Sequence, residues 1–137
     1  MKLGKFEINN IYNVDCLIGM KDLPDECIDL VVTSPPYDDL RNYNGFSFDF
    51  NNIAKEIFRI MKKGGVVVWV VGDRIKNGDR TLTSFRQCLF FQEIGFNVHD
   101  VMIYQKKIHL LCVQMLILIV MNLCLFFQKK RFLLLIL

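Results

Sequence analysis

IDLVVTSPPY, residues 28–37, decides the fold. Its first six residues are almost all apolar, with a β-branched centre, which is the composition of a parallel strand buried on both faces of a sheet. The next four residues stop that strand at once. The two prolines have no N–H to donate and hold their φ angles fixed, which leaves backbone carbonyls presented in a preset geometry. In a parallel α/β sheet ligands bind where the carboxyl ends of the strands open, so Thr33, Ser34, Pro35, Pro36 and Tyr37 form a candidate active-site edge.

Working outward, short apolar runs alternate with amphipathic stretches up to residue 107, the pattern of a sheet covered by helices. EINNIYNV, ending at Val14, reads as a strand, and a short helix through Leu17, Met20 and Leu23 follows before Pro24. DFNNIAKEIFRIMKKGG is the clearest helix: Asp49 caps it, and Phe50, Ile53, Ala54, Ile57, Ile60 and Met61 recur at helical spacing. Lys62 and Lys63 suit its negative end, and Gly64 can take a left-handed closing position. VVVWVV, residues 66–71, reads as a central strand with Trp69 in the core. TSFRQCLFFQEIGF reads as a helix capped by Thr83 or Ser84 and closed at Gly95, and NVHDVMIYQK as a further strand.

With 137 residues, 53% of them apolar, the chain has room for one domain with a real core. Its net charge of +3 is unevenly placed. Residues 1–107 hold 14 basic and 14 acidic residues, so the excess lies entirely at Lys129, Lys130 and Arg131 and supports no broad claim of nucleic-acid binding. Arg74, Lys76 and Arg80 around Gly78 read as a solvated loop rather than a DNA clamp. The five cysteines are widely spaced with no C-x-x-C pair, as expected of reduced thiols in a cytoplasm. His99 and His109 have no partner at ligand spacing, so no metal site is expected.

From Ile108 onward the pattern changes. The segment has no turn residues and no polar face of regular period. Residues 110–127 could be read as a membrane span, interrupted by Gln114 and Asn122. A second explanation is a change of reading frame: 21 of the 30 residues from 108 to 137 are Phe, Leu, Ile, Met or Val, the set encoded by codons with a central uracil. A one-base shift permits a turn-containing sequence there. The expected organisation is a partial catalytic domain over 1–107 and an aberrant, out-of-frame apolar tail over 108–137.

The loop at 34–37 suits one chemistry in particular. An exocyclic amino group on a nucleobase can donate hydrogens, but its nitrogen lone pair is delocalised into the ring. The Ser34 hydroxyl and the Pro35 carbonyl can hold such a group as it pyramidalises towards an incoming methyl. Tyr37 offers an aromatic face on which a flipped base can stack.

TSPPY resembles motif IV of the S-adenosylmethionine-dependent DNA amino-methyltransferases, which methylate cytosine N4 or adenine N6. IYNVDCLIGMKDLPDECIDLVVTSPPYDDLRNYNG is similar to the opening of members that place the catalytic motif before the cofactor glycine motif. IFRIMKKGGVVVWVVGD is similar to the helix and strand that follow, and GFNVHDVMIYQK to the strand leading to a Y-x-K segment. The resemblance covers residues 8–106. It implies a partial Rossmann-like α/β fold with a mostly parallel sheet, incomplete because the C-terminal half is missing. It also implies that Asp15 and Cys16 form the turn contacting the adenosine of S-adenosylmethionine, and that Ser34, Pro35, Pro36 and Tyr37 are catalytic.

Serine at the first motif position points to cytosine N4 over adenine N6. The implied partners are double-stranded DNA with a flipped target base and a restriction endonuclease, in the cytoplasm. Arg41 and Tyr43 could touch a phosphate or the flipped base, or be simple loop residues, and Tyr104 and Lys106 could border the base pocket. The family's F-x-G-x-G loop is absent from the 137 residues, as is a target-recognition region, so this chain is expected to be inactive alone. Two alternatives stand beside this reading. RNA and protein-glutamine amino-methyltransferases use similar loops but usually place the glycine loop before the PPY strand. A small membrane protein spanning at 110–127 would make the PPY incidental.

Overall fold

The computed structural model describes residues 2–36, 48–104 and 122–129. A small hairpin, β1 (Lys2–Leu3) and β2 (Phe6–Glu7), leads to helix α1 (Cys16–Lys21) and strand β3 (Ile28–Thr33). Helix α2 (Phe50–Ile60) runs directly into the long strand β4 (Met61–Val71), followed by a second hairpin, β5 (Ile75–Lys76) and β6 (Asp79–Arg80). Helix α3 (Thr83–Glu93) and the strands β7 (Phe96–Tyr104) and β8 (Asn122–Lys129) complete the described chain.

The main sheet has the order β3-β4-β8-β7. β3 is parallel to β4, and β8 is antiparallel to both β4 and β7, so three of the four strands run one way. This is the expected α/β arrangement. β8 comes from the apolar segment beyond residue 108 and lies between β4 and β7. The last residues of the stretch weighed as a membrane span, 122–127, are therefore in a strand. Among the described residues no helix is long and apolar enough to cross a membrane. The rest of that stretch, 110–121, lies outside the described residues.

The core lies on one face of the sheet. Ile53, Ala54, Ile57 and Ile60 form the buried stripe of α2, as their spacing predicts. They meet Val67, Trp69 and Val71 of β4 together with Phe91 and Phe96. Trp69 and Phe91 pack edge to face with centroids 5.2 Å apart, and the Trp69 indole N–H donates to Gln87 Oε1 at 2.9 Å inside the core.

Four local expectations are corrected. Residues 8–14 are not a strand: Asn9 turns the chain at φ 66, and the Tyr12 hydroxyl folds back to accept from Glu7 N at 2.6 Å. Asparagine tolerates that conformation, and a strand would have needed an edge to pair with. β3 is not buried on both faces, for Leu30 is 50% and Val32 65% exposed. It is the outermost strand of the described sheet, and the helices pack on the opposite face. Met61 is not the last helical residue; it is extended at ψ 133 and pairs with Ile28. The pairing then jumps from Ile28↔Met61 to Leu30↔Val66, and Gly64 supplies its φ of 86 within that bulge rather than at the helix end.

The fourth correction concerns α3. Neither Thr83 nor Ser84 is its cap: the cap position is Leu82, which has no side-chain cap bond. The acceptor comes from Asp73 instead, whose carboxylate takes Ser84 N at 2.9 Å and Ser84 Oγ at 2.8 Å. An acidic side chain at the end of β4 thus satisfies the first turn of α3 and fixes the two elements together. Gly95 closes α3 at φ 113, as expected.

Candidate active site

Two element ends come together. At the carboxyl end of β3 the register pairs Thr33 with Trp69, and the chain continues into Ser34, Pro35 and Pro36, with Pro35 buried. At the amino end of α1, Asp15 is the N-cap, and its Oδ1 accepts from Leu17 N at 2.9 Å and Ile18 N at 3.2 Å. Both cap bonds use the same oxygen, which leaves Oδ2 for a ligand hydroxyl or amine.

These ends line one cavity of about 710 Å³, with Asp15, Cys16, Thr33, Ser34, Pro35 and Pro36 on its wall. Its floor is apolar: Leu17 and Met20 of α1, Ile53 and Ile57 of α2, and Trp69 of β4. An apolar pocket of a few hundred Å³ with a few polar groups at element ends is the form of a small-molecule site. The sequence-predicted residues Asp15, Cys16, Ser34, Pro35 and Pro36 are therefore brought together. Tyr37, Arg41, Tyr43 and Lys106 lie outside the described residues.

Cys16 is no nucleophile here. Its partial burial raises the thiol above its ordinary pKa and the neighbouring Asp15 charge adds to the shift, so the thiol stays protonated near neutral pH.

Sequence reasoning misses two lining residues. Asp49 has only a capping role there, which it fills by accepting from Asn52 N at 3.2 Å, and yet it also lines the cavity. Trp69 reads as core alone, and although it is 1% exposed its ring forms part of the floor.

A third missed residue, Arg59, sets the position of α1. Its guanidinium donates to Met20 O at 2.7 Å and Leu23 O at 2.9 Å, the carbonyls closing α1. It also pairs with Asp25 at 2.6 Å and Glu56 at 2.8 Å, and hydrogen bonds to Glu56 first and Asp25 second hold its pKa far above the ordinary value. A planar fork can satisfy these acceptors at once and an ammonium cannot. Arg59→Ala is expected to cost about 2–4 kcal/mol, mainly through the carbonyls and carboxylates left without a donor. Arg59→Lys should recover less than half. The urea midpoint at unchanged m checks both, and a shift within error for Arg59→Ala would refute the tether.

The family model of the DNA methylases designated N6_N4_Mtase matches residues 28–133, and the chain belongs to that family. It is 62% identical over 88 residues to the orphan methyltransferase M.BamHII of Bacillus amyloliquefaciens, covering 64% of this chain and 33% of that protein. Its fold is similar to that of a DNA modification methylase from Thermus thermophilus, TTHA0409, complexed with S-adenosyl-L-methionine, at TM-score 0.64 and 24% identity, over 87% of this chain and 54% of that one. It is also similar to the cytosine-N4-specific PvuII DNA methyltransferase, at TM-score 0.62 and 21% identity, over 87% of this chain and 48% of that one. The chain thus spans about a third of the length of M.BamHII and about half of each of these two structures.

Proposed function

We propose that this chain carries the catalytic strand and loop, and the cofactor-contacting turn, of a site-specific DNA methyltransferase that uses S-adenosylmethionine to methylate an exocyclic amino group. One observation carries the reading: Asp15 and Cys16 line the same cavity as Ser34, Pro35 and Pro36, although β3 separates them in sequence. When bound, the cofactor supplies an electrophilic methyl on a sulfonium. The cavity fits such a molecule, with Asp15 Oδ2 placed for a ribose hydroxyl or adenine amine and the apolar floor for the purine.

This chain's part in the reaction is that of acceptor and aligner. The Ser34 hydroxyl and Pro35 carbonyl take the two amino hydrogens of the target base, which draws its nitrogen lone pair out of conjugation. Pro36 fixes the following turn, and Tyr37 receives the base flipped from duplex DNA. The base's proton leaves after transfer through an acceptor of the loop to water, and no covalent enzyme intermediate forms. Ser34 at the first loop position supports cytosine N4 over adenine N6. The cytoplasmic setting and a restriction endonuclease partner belong to the same reading.

Residues 108–137 are proposed to be translated out of frame, on the strength of their composition. β8 needs little more than apolar character to lie between β4 and β7, because ladder bonds are made by the backbone. A polypeptide of these 137 residues is then expected to bind S-adenosylmethionine weakly and to transfer no methyl group alone, because no F-x-G-x-G loop occurs in it. Sequencing past codon 107 should reveal that loop in an adjacent frame.

A chimera tests the site without the missing part: the 88 matched residues are placed into M.BamHII and incubated with methyl-labelled cofactor and plasmid DNA. Labelled N4-methylcytosine is the expected nucleoside. N6-methyladenine would overturn the base assignment, and a folded chimera transferring no label to DNA would overturn the function.

A further inference from the structure

We propose that the β5–β6 hairpin and the first turn of α3 form a binding site for the phosphodiester backbone of duplex DNA, with Lys76, Arg80 and Arg86 as its phosphate contacts. This rests on the DNA-methyltransferase reading above and adds where on the chain the duplex is gripped.

Three observations carry it. First, the fold gathers charge that the sequence disperses. Arg74, Lys76, Arg80 and Arg86 line one surface cavity of about 620 Å³, with Asp79 as its single acidic residue. Four cations against one anion is a strong local excess in a segment, 1–107, whose formal charges cancel. Asp73, the nearest other carboxylate in sequence, is engaged with Ser84 N and Oγ and caps α3.

Second, these cations are treated differently from the others. Lys5, Arg59, Lys62 and Lys63 each pair with an aspartate or glutamate. Lys76, Arg80 and Arg86 are exposed and form no ion pair among the described residues. Like charges held together without counter-charges repel one another, an arrangement that a polyanion relieves. The platform is also preset: β5 and β6 pair through Ile75↔Arg80 and Lys76↔Asp79, and Arg74 and Thr81 exchange bonds at 2.9 and 3.1 Å. Asn77, Thr81 and Thr83 add neutral donors to the wall, and such side chains commonly share phosphate contacts with arginine and lysine.

Third, the cluster is on the correct edge. β3 and β4 are parallel, so the loop that follows Thr33 and the hairpin that follows Val71 leave the same edge of the sheet. The catalytic loop and the basic hairpin are thus neighbours along the edge a substrate duplex must approach. Lys62 and Lys63 lie at the start of β4, at the opposite edge.

The experiment measures binding of the full chain to a fluorescent duplex of arbitrary sequence by anisotropy, between about 50 and 200 mM NaCl. Each phosphate contact removed should reduce the slope of log K against log salt by about 0.9, so Lys76→Ala/Arg80→Ala/Arg86→Ala should lose about 2.7. Each single variant should lose about a third of that, which keeps the test open should the triple variant misfold. Arg80→Lys/Arg86→Lys should leave the slope unchanged, and so should Lys62→Ala/Lys63→Ala. Wild-type binding with an unaltered slope in the variants would overturn the proposal and leave the DNA reading standing. A wild-type chain that binds no duplex, or binds only single-stranded RNA, would overturn both.

Discussion

Replacing Pro35 and Pro36 together by alanine is expected to lower the methyl-transfer rate of the M.BamHII chimera by about 100-fold, or about 2.7 kcal/mol of transition-state stabilisation. The substitution leaves both carbonyls in place, so its effect is on their aim. Proline holds φ near a fixed value and cannot donate; alanine releases φ and adds an N–H that competes for the same acceptors. Pro35 is buried against the cavity wall, so a change in its conformation moves a group facing the reacting amine. Ser34→Ala removes one acceptor outright and should cost a similar factor. Both effects belong in kcat, because the acceptors gain strength only as the amino group pyramidalises.

The half-saturating concentration of S-adenosylmethionine should stay nearly constant in these variants, since Asp15 is untouched. Single-turnover transfer to DNA together with cofactor titration separates the two quantities. Should the chimera retain its rate after Pro35, Pro36 and Tyr37 are all exchanged, the loop is not catalytic.

Much of this site is legible in the sequence because its determinants are local. A strand that ends in two prolines declares where it stops, and β3 occupies the expected span Ile28–Thr33. The buried stripe of α2 follows from spacing within one helix. What escapes such a reading depends on contacts between distant segments. Met61 satisfies a helical spacing after Ile57 and Ile60, but it is equally apolar as a strand residue, and pairing with Ile28 decides the matter. The acceptor for α3 comes from Asp73, eleven residues before Ser84, where no capping rule looks. Arg59 reads as a solvated basic residue near a helix end until the closing carbonyls of α1 are found on it. The basic surface reads as a solvated loop because Arg86 joins Arg74, Lys76 and Arg80 only through the turn between β6 and α3.

Trp69→Ala is expected to be the most damaging single change to stability, at about 3–5 kcal/mol, a large part of the roughly 5–15 kcal/mol that holds a domain folded. The indole is 1% exposed and meets three phenylalanines, Phe48 at 6.3 Å, Phe50 at 5.9 Å and Phe91 at 5.2 Å between ring centroids. Removing it leaves a void beneath the cavity floor and a buried amide, Gln87, without its donor. Trp69→Phe separates these costs, because it keeps most of the ring contact and loses only the N–H; it should cost about 1–3 kcal/mol. Trp69→Phe/Gln87→Leu should then be more stable than Trp69→Phe alone, since the orphaned amide is gone.

Urea denaturation of the four proteins reads the ordering directly. A Trp69→Ala variant within about 1 kcal/mol of wild type would mean that the ring is not a packed core element. The same series bears on function, because Trp69 belongs at once to the core and to the floor of the cavity at the end of β3. Trp69→Phe should therefore weaken cofactor binding while leaving the Ser34–Pro36 acceptors in place, and raise the half-saturating cofactor concentration more than it lowers kcat.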